Sequence, residues 1–165
     1  MAHGELPSVL SEGDTTSFLE AIAPPTVLSI AGSDPSGGAG IQADLATAAA
    51  HGLHGAAAVT ALTVQDTAHV YDFRVEDADW VLAQARAVLG DLPVAAVKIG
   101  MLGSAANARA VADLLAEHPD IPAVVDPVLV AGGGDRLSED DLADALRAAL
   151  FSRATVVTPN VEEAV

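Results

Sequence analysis

Residues 26–52 read TVLSIAGSDPSGGAGIQADLATAAAHG. An apolar run of strand character, Val27–Ala31, feeds a loop of Gly, Ser and Asp, which opens a stretch of helical composition, Gly40–His51. Strand, glycine-rich loop and helix in that order make the first unit of an α/β sheet. The loop's end, Gly38-Ala39-Gly40-Ile41-Gln42-Ala43, also spells G-x-G-x-x-A, one form of the dinucleotide fingerprint. Three features weigh against a dinucleotide. The loop is long where that turn is tight, and Asp34 and two serines lie where a pyrophosphate would sit. Val59-Thr60-Ala61-Leu62 stands where the ribose-binding acid is required. No Gly-Lys-Ser/Thr follows the glycines, which excludes a Walker loop. The glycines either make a turn only or cradle a polar ligand, and the Ser and Asp among them favour the cradle.

Outward from this unit the alternation continues. Ala56–Val64, Val94–Ile99, Ala123–Asp126 and Thr155–Val157 read as strands, with Tyr71–Val75 as a short extra one. Asp77–Leu89, Ser104–Glu117 and Ser138–Leu150 read as helices, with Asp77 and Ser138 as candidate N-caps. The strands are continuously apolar, as they are when both faces of a parallel sheet are covered. The pattern predicts an α/β domain over residues 25–165, a doubly wound, mostly parallel sheet with helices on both faces. Residues 1–24 show no sustained period and read as an extension.

Composition narrows the function classes. With 165 residues, 51% of them hydrophobic, the chain can bury a single core. Its apolar runs fall short of the roughly 18 residues of a membrane span, and its start lacks the pattern of a signal peptide. Zero cysteines exclude disulfides and thiolate chemistry. The expected location is the cytoplasm. A formal charge of −16, from 23 acids against 7 Lys and Arg, argues against nucleic acid or an anionic membrane as partner. Any phosphate held by such a chain needs backbone N–H groups, helix N-termini or bound cations.

In a doubly wound sheet the ligand lies beyond the C-terminal strand ends. Here those ends carry Gly32-Ser33-Asp34, Gln65-Asp66, Gly100-Met101, Asp126-Pro127 and Thr158-Pro159-Asn160, a gathering of polar groups and glycines. Asp126 ends an apolar strand, so a cation, a phosphate-linked metal or a neighbouring N–H is expected beside it; an N-cap or turn carboxylate is the alternative. Lys98, the chain's single lysine, lies within a strand and either pairs with a carboxylate or acts at the site. Met101 is core filler or an apolar wall, and Ala131-Gly132-Gly133-Gly134-Asp135 is a flap or a plain loop. The five histidines lack metal-ligand spacing, and His51 and His54 flank a helix end.

Together, AGSDPSGGAGIQAD, TALTVQDT, VKIGMLGS, VVDPVLVAGGGDRL and VVTPNVEEA closely resemble the hydroxymethylpyrimidine and phosphomethylpyrimidine kinases of thiamine biosynthesis. These belong to the ribokinase-like superfamily. The resemblance runs from about Thr26 to Val165 and implies ATP-dependent phosphorylation of 4-amino-5-hydroxymethyl-2-methylpyrimidine and of its monophosphate. It implies that Gly32 to Asp44 lines the pyrimidine pocket, with Ala39 and Asp44 near the ring. It also implies that Gln65 hydrogen-bonds the ring edge, that Met101 packs on the ring and that Val128 joins the substrate wall. Asp126, Asn160 and Glu163 resemble the organisers of magnesium and the ATP phosphates. The resemblance further implies that the kinase fold is C-terminally incomplete at Val165. A Gly-Thr-Gly anion hole and the catalytic base are then expected further on, and relatives commonly dimerise. Gly132 departs from the lysine that many relatives carry in the flap. A non-catalytic pyrimidine-binding or structural module is the reading from another class, and a pyridoxal or sugar kinase of the same superfamily is a third.

Overall fold

The structure is a computed structural model that describes residues 23–129, 141–161 and 163–164. The expected extension up to residue 22, the Gly132–Gly134 flap and the Ser138 cap lie outside the described residues. The chain runs β1 (Thr26–Ser33), α1 (Gly40–Ala50), β2 (His54–Gln65), β3 (Val70–Val75) and α2 (Ala78–Asp91). It continues through β4 (Val94–Ile99), α3 (Ala105–Glu117), β5 (Ala123–Val125), α4 (Leu142–Ala145) and β6 (Val156–Val157). The sheet order is β3-β2-β1-β4-β5-β6. All pairings are parallel except β2 with β3, which is antiparallel. The predicted doubly wound, mostly parallel sheet is the observed one, and Tyr71–Val75 belongs to the edge strand β3.

Alternation along β1 separates the two faces. Leu28 and Ile30, both 0% exposed, pack with Val81 and Ala85 of α2 and with Ala108 and Val111 of α3. Each such side chain contributes roughly 1.5–3 kcal/mol on full burial. Ser29, between them, points to the other face and bonds Asp44 of α1. Helices therefore cover both faces, with α1 over β1 and β2 and the larger apolar core on the α2–α3 side. After β1 the chain moves to β2, yet β4 lies on β1's other flank. That reversal opens a crevice at the strand ends, where such sheets take ligands.

The caps differ in kind. Ser104 accepts the Asn107 N–H and starts α3. Asp77 occupies the N-cap position of α2, but its side chain makes no cap bond; its carbonyl accepts the Trp80 N–H at 2.9 Å. The predicted helix Ser138–Leu150 is described from Leu142. Its α-helical part yields to a π turn (Leu146–Leu150) and a 3-10 turn (Phe151–Arg153). Leu142, Leu146 and Leu150 still bury one stripe of the segment. Among the described residues no helix is long and apolar enough to cross a membrane.

Candidate functional site

The glycine loop is built around one carboxylate. Asp34 is 3% exposed and accepts the Ser36 N–H at 2.7 Å, the Ser36 hydroxyl at 2.8 Å and the Ala39 N–H at 2.8 Å. Burial pushes the Asp34 carboxyl up, but these hydrogen bonds together hold it below the usual carboxylate range. Gln42 of α1 locks the same loop from the helix side. Its Oε1 accepts the Asp34 N–H at 2.8 Å, and its Nε2 donates to Ser33 Oγ at 2.9 Å. Gly40 opens α1 with φ +58°, where any Cβ would overlap the Gly32 carbonyl. Asp34 thus shapes the loop from within.

The loop closes over a cavity of about 310 Å³ at the C-terminal strand ends. Gly32, Ala39, Asp44, Gln65, Met101 and Val128 all line it, and Asp126 joins them. Residues far apart in sequence thus share one small-molecule-sized space. Met101 is fixed through its backbone: Thr60 Oγ1 donates to its carbonyl, and Asn107 Nδ2 holds the next carbonyl, that of Leu102, at 2.8 Å. A Cβ at Gly32 would stand 3.0 Å from Met101 Sδ, so glycine there lets the thioether reach the cavity. Thr63, bonded through Oγ1 to the Ser33 carbonyl at 2.8 Å, also lines the wall.

Polar residues meet at the cavity's inner side. Lys98 Nζ stands 3.1 Å from Asp44 Oδ1 and 3.9 Å from Asp126 Oδ2. Burial pushes the Asp126 carboxyl up, the Lys98 ammonium draws it down, and the charges of Glu163 and Asp44 push it up again. The net shift is upward. Lys98 therefore pairs with carboxylates, the first of the two expectations, and it also lines the cavity. Ser29 and Thr63 escaped the sequence reading, since one hydroxyl in an apolar strand carries no motif. The signal for Ser29 was its place between two core residues, on the face opposite theirs.

Asn160 and Glu163 do not line the cavity. The Asn160 N–H donates to Glu163 Oε2 at 3.0 Å, and the Glu163 N–H donates to Asn160 Oδ1 at 2.9 Å. This is the reciprocal geometry of a capping box, beyond the end of β6. Glu163 still acts on Asp126 through its charge. Among the described residues no group of three or more His, Asp or Glu side chains could hold a metal ion.

Comparison with known proteins follows the same lines. A family model described as phosphomethylpyrimidine kinase matches residues 34–165. The hydroxymethylpyrimidine/phosphomethylpyrimidine kinase of Streptomyces coelicolor is 48% identical over 142 residues, 86% of this chain and 52% of that protein. The crystal structure of phosphomethylpyrimidine kinase from Clostridium difficile superimposes with a TM-score of 0.78 at 38% identity, covering 85% of this chain and 61% of that one. An ADP complex of Bacillus subtilis pyridoxal kinase gives a TM-score of 0.74 at 34% identity, covering 86% and 52%. The chain spans about half the length of the curated relatives it matches.

Proposed function

The chain belongs to the phosphomethylpyrimidine kinase family, and from that membership we propose that its cavity holds a hydroxymethylpyrimidine which the whole protein phosphorylates with ATP. One observation carries the reading: Gly32, Ala39, Asp44, Gln65, Met101 and Val128 converge on one cavity. The Met101 thioether supplies an apolar wall for a flat ring. Gln65 supplies an amide that donates and accepts at once, which suits a ring edge bearing both kinds of group.

In this proposal the substrate hydroxyl lies toward Asp126, which lines the cavity. Phosphoryl transfer depends mainly on positioning and charge stabilisation. Lys98 is the cation beside Asp44 and Asp126, and the charges of Glu163 and Asp44 both act on Asp126, which makes Asp126 the carboxylate that a phosphate-linked cation would meet. Asp126 would hold magnesium there, with Asn160 and Glu163 organising the approach. The ion would supply charge neutralisation for the phosphates.

Calorimetry with 4-amino-5-hydroxymethyl-2-methylpyrimidine, pyridoxal and ATP–magnesium tests the reading. Heat from the pyrimidine with little from pyridoxal is the expected result; a preference for pyridoxal overturns it. Pyrimidine binding by a whole protein that transfers no phosphate would establish the non-catalytic module instead.

A further inference from the structure

Behind the carboxylate that faces the cavity stand a cation and a hydroxyl. Asp44 comes from α1, Ser29 from β1 and Lys98 from β4, and Ser29 and Lys98 are register partners across the sheet. Lys98 Nζ lies 3.1 Å from Asp44 Oδ1 and 3.2 Å from Oδ2. Ser29 Oγ donates to Oδ2 at 2.6 Å. Ser29 is 2% exposed, and the side chains of Lys98 and Asp44 are only 27% and 21% exposed, so water competes weakly for these bonds. Gly100 keeps the space open. A Cβ there would stand 3.0 Å from Lys98 Nζ and 3.0 Å from the Ala31 Cβ, so the lysine lies back along its strand toward the cavity.

We propose that Lys98 and Ser29 are positioning residues that fix the Asp44 carboxylate, and that the fixed carboxylate selects rings presenting an N–H donor at that wall. The inference rests on the pyrimidine reading above and deepens it to a rule of specificity. A carboxylate offers about four lone-pair sites, and Lys98 with Ser29 occupies those on the sheet side. The lone pairs left over face a cavity that Asp44 lines. With both oxygens held, the group cannot turn to suit a different ligand. An aminopyrimidine alcohol satisfies it through the exocyclic N–H. The same ring without the amine leaves a desolvated acceptor unpaired, which is the costly case in recognition.

The test is calorimetry on the 165-residue chain, using the aminopyrimidine alcohol and its analogue lacking the amine. Lys98→Met is expected to weaken the amine-bearing ligand about tenfold, the size of one charge-assisted contact, and to leave the analogue unchanged. Lys98→Met combined with Asp44→Asn should bind no more weakly than Asp44→Asn alone. Ser29→Ala keeps the charge and should show a smaller loss with the same selectivity, so it carries the test if Lys98→Met does not fold. Equal losses for both ligands, or discrimination untouched in both variants, overturns the inference while the pyrimidine reading stands. If the wild-type chain binds neither ring, the pyrimidine reading falls and takes the inference with it.

Discussion

The Asp34 carboxylate and the Ala39 backbone N–H meet at 2.8 Å, closing the glycine loop from inside. Because hydrogen bonding holds Asp34 below its ordinary range despite burial, its charged form belongs to the folded state. A depressed carboxyl contributes stability above the unfolded value of about 4 and loses it as pH falls through the folded value. Denaturant melts at pH 7 should show Asp34→Asn less stable than wild type by about 1–3 kcal/mol. The gap should narrow below about pH 4. A gap independent of pH would show that the charge is not what holds the loop.

Gly37 and Gly40 separate strain from collision. Both have positive φ, +79° and +58°, but a Cβ at Gly37 meets nothing within 4 Å, whereas one at Gly40 overlaps the Gly32 carbonyl. Gly37→Ala should cost about 1 kcal/mol, the left-handed penalty alone. Gly40→Ala should cost at least about 2 kcal/mol and reduce ligand binding as well, since α1 would shift from β1. Equal costs in urea unfolding would contradict the close approach.

Outside the cavity, Tyr71 donates its hydroxyl to Asp66 Oδ2 at 2.7 Å. That bond, with the Ala68 and His69 N–H groups behind it, lowers the Asp66 carboxyl to about 2. In Tyr71→Phe, carbon-detected NMR titration should find Asp66 moved up toward the ordinary range. An unchanged titration would assign the depression to the turn's backbone N–H groups alone.

Gln65 tests the ring-edge contact. Gln65→Ala should weaken pyrimidine binding about tenfold or more, because an unpaired polar edge of the ring is left behind, with little change in Tm. Unaltered affinity in calorimetry would remove Gln65 from the substrate wall.

Fold class was legible because the strands are apolar on both faces and the breakers between them are strong. The ends of strands were less so. β1 runs on through Ser33, and β2 spans His54–Gln65, because sheet pairing continues past the apolar run that marks a strand in sequence. The π turn at Leu146–Leu150 left no mark, since its buried leucines keep a helical spacing. At the site, the strand-end residues were readable from topology, and Asp44 only through resemblance. Asn160 and Glu163 stand three apart, a spacing that serves a helix cap as well as a phosphate site, and their bonding in the structure is that of the cap.

The bond from Lys98 to Asp44 spans 54 positions of chain, and the cavity walls run from Ala31 to Val128. Contacts so distant in sequence form only after the loops between them have closed, and they slow folding accordingly. The β1–α1–β2 unit supplies the glycine-loop side of the cavity, whereas Lys98, Met101, Asp126 and Val128 come from later in the chain. The cavity is therefore complete only when β4 and β5 have joined the unit that carries the glycine loop.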